Sequence, residues 1–471
     1  MRKILTFLVL IFIVIFFNFT VSSCKRALKE EISVSQETEA TEISIESEAG
    51  EGDTYAEEQV NLVLWWWGEQ EVVGMSRWIE ETIEKFQEAY PNIKVQSTLQ
   101  ATEVVLTQFP NAVAAGEGPD ITFRWNGIYH MPWVWLGYLE PLENWIPQEK
   151  LQEMNVDKLS YFDGYTYSVG WYTYSNVWAL NKNLFIEAGL EPVAPITWDE
   201  LLFDCKALQD SGIQPISLGY KDLFAGEWTF AFTVQQGMND LNDLVELATG
   251  KQSWADYRYW QGWEKFLELY KKGYLNRDML SLDISQGMDM FLAGNAAMSM
   301  VPTGLIPSME ELLGQGVVDI FPTPIFGEGK YAGKSPIISN GFAISSISKH
   351  KKEAAEFLMF MHSKERMISL YEKLNVFPAN KSFDFNQLSR PLDKKIADTI
   401  INSPNPIPWV SELIPPNVMN DIGYGIFQQV FTGELTPEQL GQEAQNSMER
   451  WLKEDPKMAQ NYIDWLSNIE W

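Results

Sequence analysis

The chain is poor in the residues that most active-site chemistry requires. Its 471 residues include 2 cysteines and 3 histidines. His130, His350 and His362 are spread along the chain, so neither a metal site of ordinary ligand spacing nor a histidine-based nucleophile relay has its parts. No Gly-x-Ser-x-Gly segment occurs. Basic residues are scarce too: 35 Lys and Arg stand against 64 Asp and Glu, a formal net charge of −29. Phosphate binding needs clustered positive charge, so this balance excludes a nucleic-acid partner. Residues 329–335 look like a phosphate loop but are one residue short of one, and read better as a surface turn. No cofactor is expected.

What is present begins with the N-terminus. Arg2 and Lys3 precede an almost unbroken apolar run over residues 4–17, then Val21-Ser22-Ser23-Cys24. The run is too short for a comfortable membrane span and reads as a cleaved signal. Its end resembles a lipobox, which would make Cys24 the acylated first residue of the exported protein, tethered to a membrane. Cutting after residue 23 moves the charge from −29 to −31. The other cysteine, Cys205, falls on the apolar side of a predicted helix and reads as a buried small hydrophobe; with Cys24 acylated, no disulfide forms within the chain. Between Glu30 and Glu58 there are eleven acidic residues and no lysine or arginine. Such a segment buries too little to pack, so residues 24–58 are expected to be a solvated tether held extended by like charges.

About 410 residues follow Gln59, more than one comfortable core holds, so two lobes are expected. Strand-like and helix-like patterns alternate. Residues 60–65 read as a buried strand, 78–90 as a helix ended by Pro91, 93–96 as a strand, 104–115 as a helix and 120–123 as a third strand. Further strands are expected at 177–180, 214–218, 296–301 and 341–345, with helices after Thr197 and over 351–362. Thr197 and Glu200 form a capping box. This alternation predicts an α/β fold with mostly parallel sheets flanked by helices.

Several segments resemble one family. Residues 86–95 (FQEAYPNIKV), 115–121 (AGEGPDI), 181–190 with 197–201 (NKNLFIEAGL, TWDEL), 291–298 (FLAGNAAM) and 352–358 (KEAAEFL) occur in the order found in the type 1 extracellular solute-binding proteins, which include sugar- and maltose-binding proteins. The resemblance spans residues 60–365 and is loose over the last hundred. It implies a type II, periplasmic-binding-protein-like fold of two α/β lobes with a ligand cleft between them. By resemblance the chain crosses between lobes near 172–176, 338–341 and 377–379. That places residues 59–174 and 341–376 in the N-terminal lobe and 175–340 and 377–471 in the C-terminal lobe.

Nineteen tryptophans, 18 tyrosines and 26 phenylalanines exceed what a core alone needs. A sugar offers apolar C–H faces to aromatic rings and hydroxyls to Asp, Glu, Asn and Arg. In open α/β sheets such groups sit beyond the carboxyl ends of strands. This rule selects Trp66, Trp67 and Glu69 after the first strand, although at least one of Trp65, Trp66 and Trp67 must be core because strand neighbours point oppositely. It selects Arg124, Trp125 and Asn126 after the third. Gly127 stands where the maltose-binding pattern has an acidic residue, which implies a different sugar. Trp171 and Tyr172 precede the first crossing, where hinge packing competes as a role. Trp228, in a loop after the 214–218 strand, Gly304 through its backbone, Asn340 at the second crossing and Trp409 complete the candidates.

Two classes of function compete. One is a monomeric binding protein that closes on a mono- or oligosaccharide and presents it to the permease subunits of an ABC importer. The other is a secreted glycoside hydrolase, which would need two carboxyls about 5–10 Å apart across the scissile bond. Late crossings fit two lobes better than a barrel, so binding without catalysis is the expectation.

Overall fold

The computed structural model describes residues 59–469 apart from residues 103 and 155–157. The signal segment, Cys24 and the acidic tether therefore lie outside the described residues. Two sheets organise the rest, each covered by helices.

The first sheet is built from β1 (Val60–Trp66), β2 (Ile93–Leu99), β3 (Ile121–Arg124), and, later in the chain, β6 (Val169–Tyr174), β11 (Pro336–Ile344), β12 (Phe377–Pro378) and β13 (Ile407–Pro408). A two-stranded hairpin, β4 (Tyr161–Phe162) with β5 (Tyr165–Thr166), stands apart. The strand order is β12-β6-β11-β3-β1-β2, with β13 beside β11. The second sheet comprises β7 (Asn176–Asn181), β8 (Gln214–Ser217), β9 (Ala296–Pro302) and β10 (Val318–Phe321) in the order β10-β7-β9-β8.

The pairing is more mixed than the alternation of elements implies. β1 runs parallel to β2 and β3, and β8 to β9. β3–β11, β11–β6, β6–β12, β7–β9 and β7–β10 are antiparallel. The cause lies in the crossings: a strand arriving from the other sheet need not follow the helix crossover that enforces parallel pairing. The chain leaves the first sheet at Ser175, directly between β6 and β7. It returns over residues 322–335, so β11 starts five residues ahead of the expected 341 strand, and Asn340 lies inside it. Ser175 N donates to Thr303 Oγ1 at 3.0 Å, pinning the first crossing to the end of β9.

Local rules account for the elements. In β1, Leu62, Leu64 and Trp66 enter the core beneath the sheet, while Trp65 packs on the opposite face. β7 divides likewise, with Val177 and Ala179 on one face and Trp178 and Leu180 on the other. Asp120 accepts from Val63 N at 2.8 Å and from Ser348 Oγ at 2.5 Å, seating β3 beside β1. The helix Trp198–Asp210 carries the expected capping box and buries Cys205 completely. Residues 329–335 form a turn whose Gly329 and Tyr331 amides bond Gln236 O and Met238 O. Among the described residues, no helix is long and apolar enough to cross a membrane.

Candidate functional site

The candidate site lies where loops beyond the strands of the first sheet meet the second sheet and its helices. Its base is a buried cluster at the β6–β11 pair. Tyr172 Oη donates to Glu71 Oε2 at 2.8 Å, and Asn340 Nδ2 reaches Glu71 Oε2 at 3.0 Å and Tyr172 Oη at 2.9 Å. Tyr172 and Asn340 face each other directly in the β6–β11 register. Glu71 comes from the loop after β1, and Gly304, past the end of β9, closes on that loop. A β-carbon built on Gly304 would lie 3.4 Å from Val72 Cγ2 and 3.6 Å from Glu71 O. Only a residue without a side chain allows that approach.

Burial dominates the electrostatics of Glu71. It raises the carboxyl from 4.5 to about 7, against hydrogen bonds from Tyr172, Tyr174 and Asn340 that pull it down. Between those two values the folded chain holds a proton that the unfolded chain has lost, so stability falls as pH rises through this window. Glu71→Gln should abolish the fall, stabilising the protein by roughly 3 kcal/mol above pH 7 relative to the parent. Denaturant midpoints of both proteins across pH check this. Parallel curves would show that Glu71 is ionised throughout.

A second cluster lies on the other side. Glu227, on the helix Leu223–Gly237, accepts from Ser411 Oγ and from Tyr424 Oη, the latter at 2.7 Å. Tyr129, in the turn Gly127–Tyr129 after β3, bonds Ser411 Oγ at 2.6 Å, so an element of the first sheet meets this cluster directly. Burial raises the Glu227 carboxyl, opposed by hydrogen bonds from Ser411, Tyr424, Tyr129 and Trp409. Gly127 allows the meeting. Its φ is +55°, and a β-carbon there would sit 2.2 Å from Glu412 O. An acidic side chain, as in the maltose-binding pattern, has no room.

An aromatic wall joins the clusters. Trp67 and Trp125 meet edge to face with centroids 5.0 Å apart, and Trp125 contacts Tyr129 at 6.3 Å. Trp67 Nε1 donates to Thr102 Oγ1 at 2.8 Å. Trp125 is only partly buried, with part of its ring open.

The structure sorts the candidates. Trp67, Trp125, Tyr172, Asn340 and Gly304 come together around Glu71 or the wall. Trp66 and Trp171 pack into the core beneath the first sheet, 6.3 Å apart, because both strands point these rings inward. Glu69 caps a helix instead of facing a cleft. Its Oε1 accepts from Gly74 N at 2.9 Å and its Oε2 from Ser76 N at 2.6 Å, at the start of the helix Met75–Ala89. Burial pushes that carboxyl up, but these bonds outweigh it and hold it below its usual range. Arg124 lies under the sheet surface, donating to Ser168 Oγ at 2.8 Å and to Ser339 O at 2.6 Å. Asn126 caps the turn that carries Tyr129, accepting from Gly127 N at 2.8 Å. Trp228 is on the helix Leu223–Gly237, not in a loop, because that helix begins sooner after β8 than expected. Trp409 packs edge to face against Phe232 at 5.0 Å.

The candidates omitted Glu71, Tyr129, Glu227, Ser411 and Tyr424. Glu71 satisfies the same strand-end rule that chose Glu69, two residues further on. Glu227 adjoins Trp228. Ser411 and Tyr424 carry no local signal.

The fold matches solved structures along most of its length. A chitin oligosaccharide binding protein superposes with a TM-score of 0.75 at 23% identity, covering 83% of this chain and 98% of that one. The maltose/maltodextrin-binding domain from Bdellovibrio bacteriovorus bound to maltotriose gives 0.64 at 19% identity, covering 84% and 100%. An uncharacterized ABC transporter extracellular-binding protein from Pyrococcus horikoshii is 23% identical over 322 residues, 65% of this chain and 68% of the relative. With two α/β lobes, a polar site at their junction and a family model matching residues 69–368, the chain belongs to the bacterial extracellular solute-binding proteins of ABC transporters.

Proposed function

We propose that this protein is an exported lipoprotein that captures a carbohydrate in the cleft between its lobes and delivers it to the permease subunits of an ABC importer, as a monomer and without chemistry on the ligand. The observation that carries this reading is the junction itself: two buried carboxyls held by phenols, hydroxyls and an amide beside an aromatic wall, with both sheets contributing. That combination suits a ring with C–H faces and a rim of hydroxyls. The neighbours' ligands, chitin oligosaccharide and maltotriose, support the same class. Lobe closure then pivots on Ser175, on residues 322–335 and on the stretch after Pro378.

A thermal-shift screen against neutral and amino oligosaccharides tests the reading. A ligand present at a hundred times its dissociation constant stabilises by about 2.7 kcal/mol, a shift of roughly 2–4 °C or more. Return of the added sugar intact separates binding from hydrolysis. No shift with any saccharide would refute a carbohydrate ligand, and turnover would favour the hydrolase.

The anchor has its own test. With Cys24 acylated, two acyl chains hold the protein to a membrane. Cys24→Ser should move it to the soluble fraction or leave the precursor uncut. Unchanged fractionation and mass would remove the lipoprotein from the proposal.

A further inference from the structure

Glu71 and Glu227 are both buried at the junction of the sheets, and the groups that meet them are all neutral: Tyr172, Tyr174 and Asn340 around the first, Ser411, Tyr424, Tyr129 and Trp409 around the second. A buried carboxylate without a counter-charge is costly, so such sites either stay protonated or await a cation. Asn340 adds a second, independent sign. Its Nδ2 is spent on Glu71 and Tyr172, while its Oδ1 is fully buried and has no hydrogen-bond partner. Two acceptors, a carboxyl oxygen and an amide oxygen, thus stand together with no donor of the chain between them.

The donor count of the ligand group decides what fits. A sugar hydroxyl brings one hydrogen and satisfies one acceptor. An acetamido group brings one N–H, and its carbonyl adds a further acceptor. An ammonium brings three hydrogens and the missing charge, and the nearby faces of Trp67, Trp125 and Tyr129 attract a cation as well. Resting on the carbohydrate reading above, we propose that the ligand is an amino sugar with a free amine, whose ammonium is received by Glu71 and by Asn340 Oδ1. Glu71 engages it as the carboxylate, its proton passing to the buffer.

The test is calorimetric titration of the purified protein with glucosamine oligomers and with N-acetylglucosamine oligomers of equal length, at a slightly acidic pH where the amine is charged. The free-amine series should bind about ten- to a hundredfold more tightly, the usual range for a charge-assisted hydrogen bond. Two buffers of different protonation enthalpy should show proton release with that series alone. Glu71→Gln should erase the preference and leave the acetylated series nearly unchanged, while Glu227→Gln, whose carboxyl lies in the other cluster, should keep it. Equal or tighter binding of the acetylated series overturns the proposal without any variant, as does a preference that survives Glu71→Gln. Binding of neutral oligosaccharides alone overturns it while the carbohydrate reading stands. Silence from every saccharide removes both.

Discussion

Trp171→Ala is expected to lower the unfolding free energy by about 3–5 kcal/mol, the range for emptying a large aromatic site in a packed core. The ring is fully buried on β6, with Phe342 at 4.9 Å, Tyr172 at 5.2 Å, Trp78 at 6.0 Å and Trp66 at 6.3 Å around it. Those neighbours belong to β11, β6, β1 and the helix Met75–Ala89, so none can swing in to fill the void without moving an element. The indole N–H has no acceptor and adds nothing that truncation would lose. The denaturant midpoint reads the effect, and Trp171→Phe should recover part of it. Ligand affinity of the folded fraction should stay within a few-fold of the parent, because only the support beneath Tyr172 changes. A large loss of affinity at an unchanged midpoint would instead make Trp171 part of the cleft wall.

That contrast marks how far the sequence could be read. Where a residue's fate follows from its neighbours within four positions, the reading was sufficient. Leu62, Leu64 and Trp66 alternate with Val63 and Trp65, and β1 follows. Thr197 and Glu200 satisfy each other's backbone at Ile196, Thr197 and Glu200, and the helix starts there. Where the fate depends on a partner hundreds of positions away, it was not. Trp171 reads as a cleft ring beside a crossing until Phe342 is seen beneath it. Glu69 reads as a ligand contact because nothing in the sequence shows that the helix beginning at Met75 lacks a cap of its own, with Gly74 at φ 93° in the capping place. Its carboxylate fills that role from five residues upstream.

The site divides in the same manner. The strand-end rule found Trp67 and Trp125 and stopped two residues short of Glu71. The rule gives the end of a strand but not the length of the loop beyond it. Ser411 and Tyr424 come from the C-terminal third, where the family resemblance is loose. Tyr424 sits on the π-helical turn Met419–Ile426, an element with one residue more per hydrogen-bonded turn than a helix. That widening turns Tyr424 towards Glu227 against the 3.6-residue period, so periodicity would have misplaced it. Gly127 was read as a sign of a different sugar. The structure supplies a physical reason for glycine there, since a side chain would strike Glu412.

Trp125→Ala is expected to weaken ligand binding by about 2–3 kcal/mol, on the order of a hundredfold, with little change in the unfolding midpoint. The two parts of that figure are the apolar area the ring would cover on a sugar face and the aromatic contact itself, roughly 0.5–1.5 kcal/mol beyond area. Unlike Trp171, the ring is only partly buried. Its neighbours, Trp67 at 5.0 Å, Phe123 at 5.8 Å and Tyr129 at 6.3 Å, meet it at steep angles, leaving its face unstacked. It also stands between the clusters, after β3 and four residues before Tyr129, so a sugar seated against either carboxyl would pass it. Calorimetric affinity and denaturant midpoint measured on the same variant separate the outcomes. Lost affinity with a nearly intact midpoint places the ring on the ligand. A midpoint lowered by the several kcal/mol expected for Trp171, with affinity retained in the folded fraction, would show instead that Trp125 braces Trp67 and Tyr129 and touches no ligand.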